Sequence, residues 1–275
     1  MRILFIGDVV GRSGRRVVKR ELPGLRERFQ LDFVVLNGEN AAAGFGINED
    51  MCEEFLDAGV DVVTSGNHIW DQREALVFIE RQERLLRPLN FPGDAPGRGS
   101  AIFRAANGAE VLVVNVMGRV FMNELDCPFQ AIDRELAGND LKSAADAIII
   151  DMHAEATSEK QALANFVDGR ASCVIGTHTH VPTADDQILE GGTAYMSDVG
   201  MCGDYDSIVG MDKQEPISRF VTKIPGERFK ASLGEPTLAA VAIETDDETG
   251  LAREIAPLRI GGRLRPTMPD FWREG

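Results

Sequence analysis

An α/β fold is predicted by three observations on the 275-residue chain. Short Val- and Ile-rich runs alternate with amphipathic stretches over its first two thirds, the pattern of βαβ units around a mainly parallel sheet. Polar, glycine-flanked segments follow those runs, and later runs pair across turn residues instead of helices. In order, Arg2–Ile6 reads as a buried strand, followed by a basic helix from about Arg12 to Phe29. Phe33–Leu36 is a second strand and Glu49–Ala58 a second helix with apolar Met51, Phe55 and Leu56. Val60–Thr64 is a third strand, with a third helix from about Gln72 to Glu80. The Gly- and Pro-rich stretch Pro88–Gly99 breaks the alternation. Ala101–Arg104 and Glu110–Val116 then form a hairpin around Asn107-Gly108, a favourable turn dipeptide. Further strands fall at Ala147–Asp151, Ser172–Ile175 and Thr193–Met196. Thr237–Glu244 and Arg253–Ile260 pair across Asp246–Gly250. The expected organisation is one domain over residues 1–275, with a parallel half and a more antiparallel half.

Composition narrows the function. The chain is 44% hydrophobic and 27% charged, which excludes a disordered tail, a collagen-like repeat or a small disulfide scaffold. Acids outnumber Lys and Arg by 44 to 29, a formal charge of −15. That balance argues against duplex nucleic acid as a partner, because such binding needs a cationic face. A phosphate site in this chain must bring its own positive charge. The apolar runs Val111–Val114, Ala147–Ile150 and Leu238–Ile243 are far shorter than the ~18 residues of a membrane span. Asp8 arrives too early for a signal-peptide core. The four cysteines, Cys52, Cys127, Cys173 and Cys202, form no C-x-x-C pair and suit a reduced interior. A cytoplasmic location is expected. No coiled-coil or interface pattern stands out, so the sequence assigns no oligomeric state.

Polar residues capable of holding a metal follow predicted strands five times: Asp8; Glu39 and Asn40; Asn67 and His68; Asp151 and His153; His178 and His180. Ligands of open α/β sheets bind beyond the carboxyl ends of strands, so the topology, though not the spacing alone, predicts that these residues converge on one rim. All four histidines of the chain lie in these segments. His178 and His180 differ by two, which in extended backbone points both to one face. Imidazoles beside carboxylates and carboxamides make a mixed N/O site suited to Mn, Fe or Zn.

The ordered set Gly7-Asp8, Gly38-Glu39-Asn40, Gly66-Asn67-His68, the single His153 and Gly176-Thr177-His178-Thr179-His180 resembles the calcineurin-like metallophosphoesterase superfamily. Gly7-Asp8-Val9-Val10-Gly11, Asn37-Gly38-Glu39-Asn40 and Gly66-Asn67-His68-Ile69-Trp70-Asp71 resemble its bacterial YmdB-like branch, proteins of similar length with cyclic nucleotide phosphodiesterase activity. The resemblance runs from residue 3 to about 260 and includes Asn115–Arg119 and Ser197–Met201. Against the wider superfamily, Val10 stands where its Asp-x-His motif has histidine, Glu39 replaces aspartate, and Ile69 replaces glutamate. These departures are features of the YmdB-like branch. Val10 would leave one metal a ligand short, and Asn40 is the obvious substitute.

The resemblance implies the calcineurin-like fold, a central mixed β-sandwich flanked by helices. It also implies two metal ions bridged by one carboxylate, assigned to Glu39. One ion would take Asp8, Asn40 and His180, the other Asn67, His153 and His178. With Asp8 and Glu39 as the only anionic ligands, two divalent ions leave a net positive cluster that attracts a phosphodiester despite the acidic chain. A metal-bridging hydroxide would attack phosphorus, with Fe or Mn expected and Zn acceptable. His68, beside a ligand but not needed as one, is expected to be the general acid for the departing ribose oxygen, worth roughly 10²–10⁴-fold. The substrates expected are small cyclic nucleotides, 2′,3′-cyclic first and 3′,5′-cyclic second. The alternatives are a metal-dependent nuclease, a broad phosphomonoesterase, or a metal-binding regulatory protein with little turnover.

Arg119, Met117 and Phe121 are expected to form a lip near this site, with Arg119 either gripping phosphate or lying on a surface turn. Asp71 either orients His68 or caps the next helix, the cap being favoured. Arg12, Arg15, Arg16, Lys19 and Arg20 have helical spacing and read as a solvated helix face.

Overall fold

Strands whose residues are apolar at every position need cover on both faces, and the chain supplies it by stacking two sheets and adding helices outside each. The computed structural model describes residues 1–272; residues 273–275, the end of the expected domain, lie outside the described residues. The chain begins β1 (Arg2–Ile6), β2 (Asp8–Val9), α1 (Gly11–Phe29), β3 (Phe33–Asn37), α2 (Glu49–Asp57), β4 (Val62–Thr64) and α3 (Ala75–Phe78). It continues through β5 (Ser100–Arg104), β6 (Glu110–Met117), α4 (Pro128–Gly138), β7 (Ala147–His153), α5 (Thr157–Phe166) and β8 (Cys173–Thr177). The short β9 (Gln187–Ile188), β10 (Ala194–Met196) and β11 (Met201–Cys202) precede α6 (Gln214–Thr222), β12 (Leu238–Thr245) and β13 (Ala252–Ile260).

One sheet runs β13-β12-β1-β3-β4 and the other β5-β6-β7-β8-β10-β9, while β2 and β11 pair separately. Period-two alternation assigns each strand residue to a layer. Ile3 and Phe5 of β1 and Phe33 and Val35 of β3 meet Val111, Val113, Ile149 and Ile175 between the sheets. Their neighbours Leu4, Ile6, Val34 and Leu36 face outward onto Val17, Val18, Leu22 and Phe29 of α1 and Cys52 and Phe55 of α2. Leu112, Val114, Ile148 and Ile150 do the same against Ile132 and Leu136 of α4 and Leu163 of α5.

Two expectations about elements need correction. The parallel and antiparallel pairings do not divide the chain into halves. The first sheet is parallel through β1, β3 and β4 and antiparallel where β12 returns to pair with β1 and β13 with β12; the second is parallel through β6, β7, β8 and β10, with antiparallel β5 and β9 at its edges. The third helix, expected over Gln72–Glu80, is a single turn at Ala75–Phe78. Its first residues are tied elsewhere: Gln72 donates from Nε2 to the Phe45 carbonyl at 2.7 Å, and Asp71 binds His68. The expected hairpin of β5 and β6 is present, with Arg104 opposite Glu110.

Candidate metal centre

The parallel strands of both sheets deliver their carboxyl ends to one rim. β1 leads to Asp8, β3 to Glu39 and Asn40, and β4 to Asn67 and His68, while β7 ends on His153 and β8 leads to His178 and His180. Asp8, Glu39 and His153 are 0–1% exposed, and Asn40 and His180 are also buried. The structure brings all seven candidate ligands together, in two groups. His153 Nε2 lies 3.0 Å from Asn67 Oδ1, 3.2 Å from Glu39 Oε1 and 3.1 Å from His178 Nδ1. Beside it, His180 Nε2 stands 3.2 Å from Asn40 Oδ1 and 4.0 Å from Asp8 Oδ1.

Close approach at the floor requires glycine at two strand ends. A Cβ on Gly66 would overlap His153 Nε2 and sit 2.5 Å from Glu39 Oε2. One on Gly176 would overlap the Ser197 carbonyl oxygen.

The groups behind these side chains fix which atoms face inward. Asp151 accepts hydrogen bonds from Asn37 Nδ2 (3.0 Å), Thr64 Oγ1 (2.5 Å) and Thr177 Oγ1 (2.6 Å). Because Thr177 donates its hydroxyl proton to Asp151, its oxygen accepts from His153 Nδ1 at 2.9 Å. That leaves the lone pair of His153 on Nε2, facing the other ligand atoms. His180 is set likewise, its Nδ1 donating to the Val209 carbonyl at 2.8 Å. His178 is turned so that Nε2 meets Glu155 Oε2 at 3.2 Å and Nδ1 points to the centre.

The expected extended backbone at His178 and His180 is not what places them. Both are left-handed, with φ of 98° and 64°. Such residues cost about 1–3 kcal/mol each and persist where the surroundings over-determine them. Here the buried Lys160 donates from Nζ to the Thr177 carbonyl (2.7 Å) and to Asp198 Oδ2 (2.9 Å), which also accepts from the Thr179 amide (3.0 Å). The His178 amide donates to Asp8 Oδ2 at 3.2 Å.

This donor set fits a bound metal cation. Glu39 Oε1, Asn67 Oδ1, His178 Nδ1 and His153 Nε2 present lone pairs to one another, and Asp8 Oδ1 is buried with no hydrogen-bond partner. An unmatched buried carboxylate oxygen is costly unless positive charge stands opposite. Among the described residues, Glu39, His153 and His178 offer ligand atoms within 4.8 Å of one another. With no cation there, a proton takes its place on His153 Nε2. Burial opposes charge on His153, yet Glu39, Asp8 and Asp151 outweigh it and hold the imidazole up at about 9. Burial would raise Glu39, but His153 and the His68 amide hold it down at about 2. Burial pushes Asp8 up to about 6, and burial beside His153 pushes His178 down to about 3.

The rim is more open. His68 lines a cleft of about 490 Å³ above the ligands, with Phe45, Glu155, Val209, Met211 and Phe220. Its Nδ1 lies 2.7 Å from Asp71 Oδ2, so Asp71 orients His68, and the favoured helix cap is corrected. Met117 is corrected too: it is buried at the end of the interior strand β6, opposite His153 of β7, its amide held by Asn90, and forms no lip. Phe121 is 90% exposed, Arg119 is exposed, and neither lines the cleft. The cationic face of α1 is largely matched: Arg15 and Lys19 pair with Glu54, and Arg16 and Arg20 with Glu235. Sequence reasoning missed Glu155, Thr177, Lys160, Asp198 and Val209 as positioning groups. A charged residue in the buried face of a helix, Lys160, was the one available signal.

With this geometry in place, comparison with known proteins decides the family. The YmdB-like protein family matches residues 4–258. The chain belongs to it. Among relatives, the 2′,3′-cyclic-nucleotide 2′-phosphodiesterase of Bacillus subtilis is 48% identical over 260 residues, covering 94% of this chain and 97% of that protein. A hypothetical protein from Thermus thermophilus superposes with a TM-score of 0.88 at 43% identity, covering 96% of this chain and 100% of its own. A novel phosphatase from Mycoplasma pneumoniae gives 0.87 at 33% identity, covering 95% and 93%. This YmdB-like chain has the calcineurin-like metallophosphoesterase fold, the helix-flanked mixed sandwich implied by its motifs. No helix among its described residues is long and apolar enough to cross a membrane.

Proposed function

We propose that this protein is a dinuclear metal-dependent phosphodiesterase of small cyclic nucleotides, 2′,3′-cyclic ones first, acting in the cytoplasm. At the level of reaction class the chain is a phosphoric ester hydrolase, in keeping with its 48%-identical relative. The observation that carries the two-metal reading is the facing set of lone pairs around His153 Nε2 together with the orphaned Asp8 Oδ1. Asp8, Asn40 and His180 would hold one ion and Asn67, His153 and His178 the other, with Glu39 between them. Bound there, two divalent ions such as Fe or Mn supply an activated water and neutralise charge on the phosphoryl oxygens.

The chain's own residues do the rest. Asn40 is held by its Nδ2 on the Gly44 carbonyl at 2.9 Å, keeping Oδ1 toward His180. Asp71 accepts from His68 Nδ1, so the proton that His68 gives the departing ribose oxygen sits on Nε2. Phe45 packs edge-on to the His68 ring, centroids 5.1 Å apart, and limits its swing. The test is a kinetic panel of 2′,3′-cAMP, 3′,5′-cAMP, p-nitrophenyl phosphate and short RNA. Preference for 2′,3′-cAMP supports the reading. Turnover of p-nitrophenyl phosphate alone, or no turnover in metal-replete protein, contradicts it.

A further inference from the structure

Next to the catalytic cleft, and sharing its Phe45 and Phe229 walls, lies a second cleft of about 660 Å³. Its other polar lining is Asp71, Gln72, Arg219 and Arg228. The first cleft, at about 490 Å³, already has the ~300–1,000 Å³ usual for a small-molecule site, so a cyclic mononucleotide does not need the second.

The charges of the second cleft are unequal in their commitments. Asp71 is taken by His68. Arg219 is engaged by Glu215 at 2.6 Å and by the Glu227 carbonyl, with its guanidinium 4.0 Å above the Phe229 ring. Gln72 holds the Phe45 carbonyl. Arg228 is exposed and makes no hydrogen bond or ion pair among the described residues. Two of the nearby carboxylates are matched elsewhere, Glu215 with Arg219 and Glu227 with Lys230, while Asp212 lies on the far side of Arg228 in the adjoining pocket. In a chain of net charge −15, a guanidinium without a partner among the described residues, beside a phosphate-handling site, is available to grip an anion.

We propose that this second cleft is a subsite for a further phosphate group of the substrate, gripped by Arg228. The inference rests on the phosphodiesterase reading and narrows its substrate class to nucleotides with a second phosphate beyond the cyclic one. That phosphate is either a 5′-phosphate on the same nucleotide or the internucleotide link of a short oligoribonucleotide ending in a 2′,3′-cyclic phosphate. Phe45 and Phe229 then flank the connecting nucleoside, since any base can stack on an aromatic face.

The experiment measures kcat/KM for 2′,3′-cAMP, its 5′-phosphorylated form and the dinucleotide ApA carrying a terminal 2′,3′-cyclic phosphate, in wild type and Arg228→Gln. Wild type should favour at least one two-phosphate substrate by about tenfold, mainly through KM, and R228Q should bring the values together. A gain confined to the 5′-phosphorylated nucleotide identifies the terminal phosphate as the ligand; a gain with ApA identifies the internucleotide link. Equal values in wild type, or a preference that survives R228Q, overturns the proposal. Calorimetry with 3′-AMP and adenosine 3′,5′-bisphosphate reads the subsite independently of turnover. About tenfold tighter binding of the bisphosphate, lost in R228Q, supports it even if the phosphodiesterase reading fails, and equal binding overturns it.

Discussion

The floor and the rim of the site are built on different principles. On the floor, Asp8, Glu39 and His153 are 0–1% exposed and come from strand ends, where the sheet fixes the backbone. Asp8 accepts from the His178 amide, Glu39 from the His68 amide, and His153 is held from behind by Thr177. On the rim, His68, Glu155, Phe220 and Arg228 come from connections and one short helix and face an open cleft. The floor is thus set to hold charge in one place, while the rim is set to meet a ligand. Substitutions on the floor should remove metal and activity together, and those on the rim should change activity or selectivity while metal stays.

The largest effect separates these two directly. Asp8→Ala or His153→Ala should lower kcat/KM by about 10²–10³-fold or more and reduce bound metal, checked by elemental analysis of the same samples. His68→Ala should cost roughly 10²-fold or more in kcat with metal content intact. Metal lost from H68A would place His68 on the floor and break the distinction. Lys160→Met lies behind the floor. Removing one partner of the buried Lys160–Asp198 pair should destabilise the fold by about 3–5 kcal/mol and weaken metal binding about 10–100-fold. Thermal unfolding gives the first number and metal titration of the folded protein the second. In Lys160→Met/Asp198→Leu, stability should recover further than metal affinity, because the contacts to Thr177 and Thr179 are gone.

The smallest effect is a control far from the site. Asp246, in the turn between β12 and β13, is held down at about 2 by the Thr249 and Glu248 amides and by Arg253. A folded value below the unfolded ~3.9 means the carboxylate stabilises the protein above about pH 4 and loses that contribution as pH falls toward 2. Asp246→Asn should narrow the acid limb of the stability profile over that window and leave metal content and kcat unchanged.

The same contrast explains what could be read from the sequence. The floor residues follow short apolar runs at strand ends, so the positions of Asp8, Glu39, Asn67, His153 and His178 were visible from the period of the strands. Their backbone was not: the i, i+2 spacing of His178 and His180 suggested extended chain, and the structure uses two left-handed residues, stabilised by Lys160 and Asp198. Nothing local announces that support, because its partners lie 17 and 19 residues from the carbonyl and amide they hold. The third helix failed for a related reason. Its apolar residues at Ala75, Phe78 and Ile79 have helical spacing, but Asp71 and Gln72 were recruited to His68 and Phe45. Helix α6 and the second cleft follow a long irregular segment with weak periodicity, so the rim was largely invisible. The two-sheet arrangement was legible only through the motifs, since β12 reaches β1 across nearly the whole chain.

The most direct test of the floor is a metal titration of chelator-treated protein, followed by 2′,3′-cAMP hydrolysis at each point. Activity should be absent in the stripped protein and rise to a plateau at two equivalents per chain, with Asp8→Ala and His153→Ala each failing to reach it. Full activity in the stripped protein, or a plateau at one equivalent, would contradict the two-ion floor.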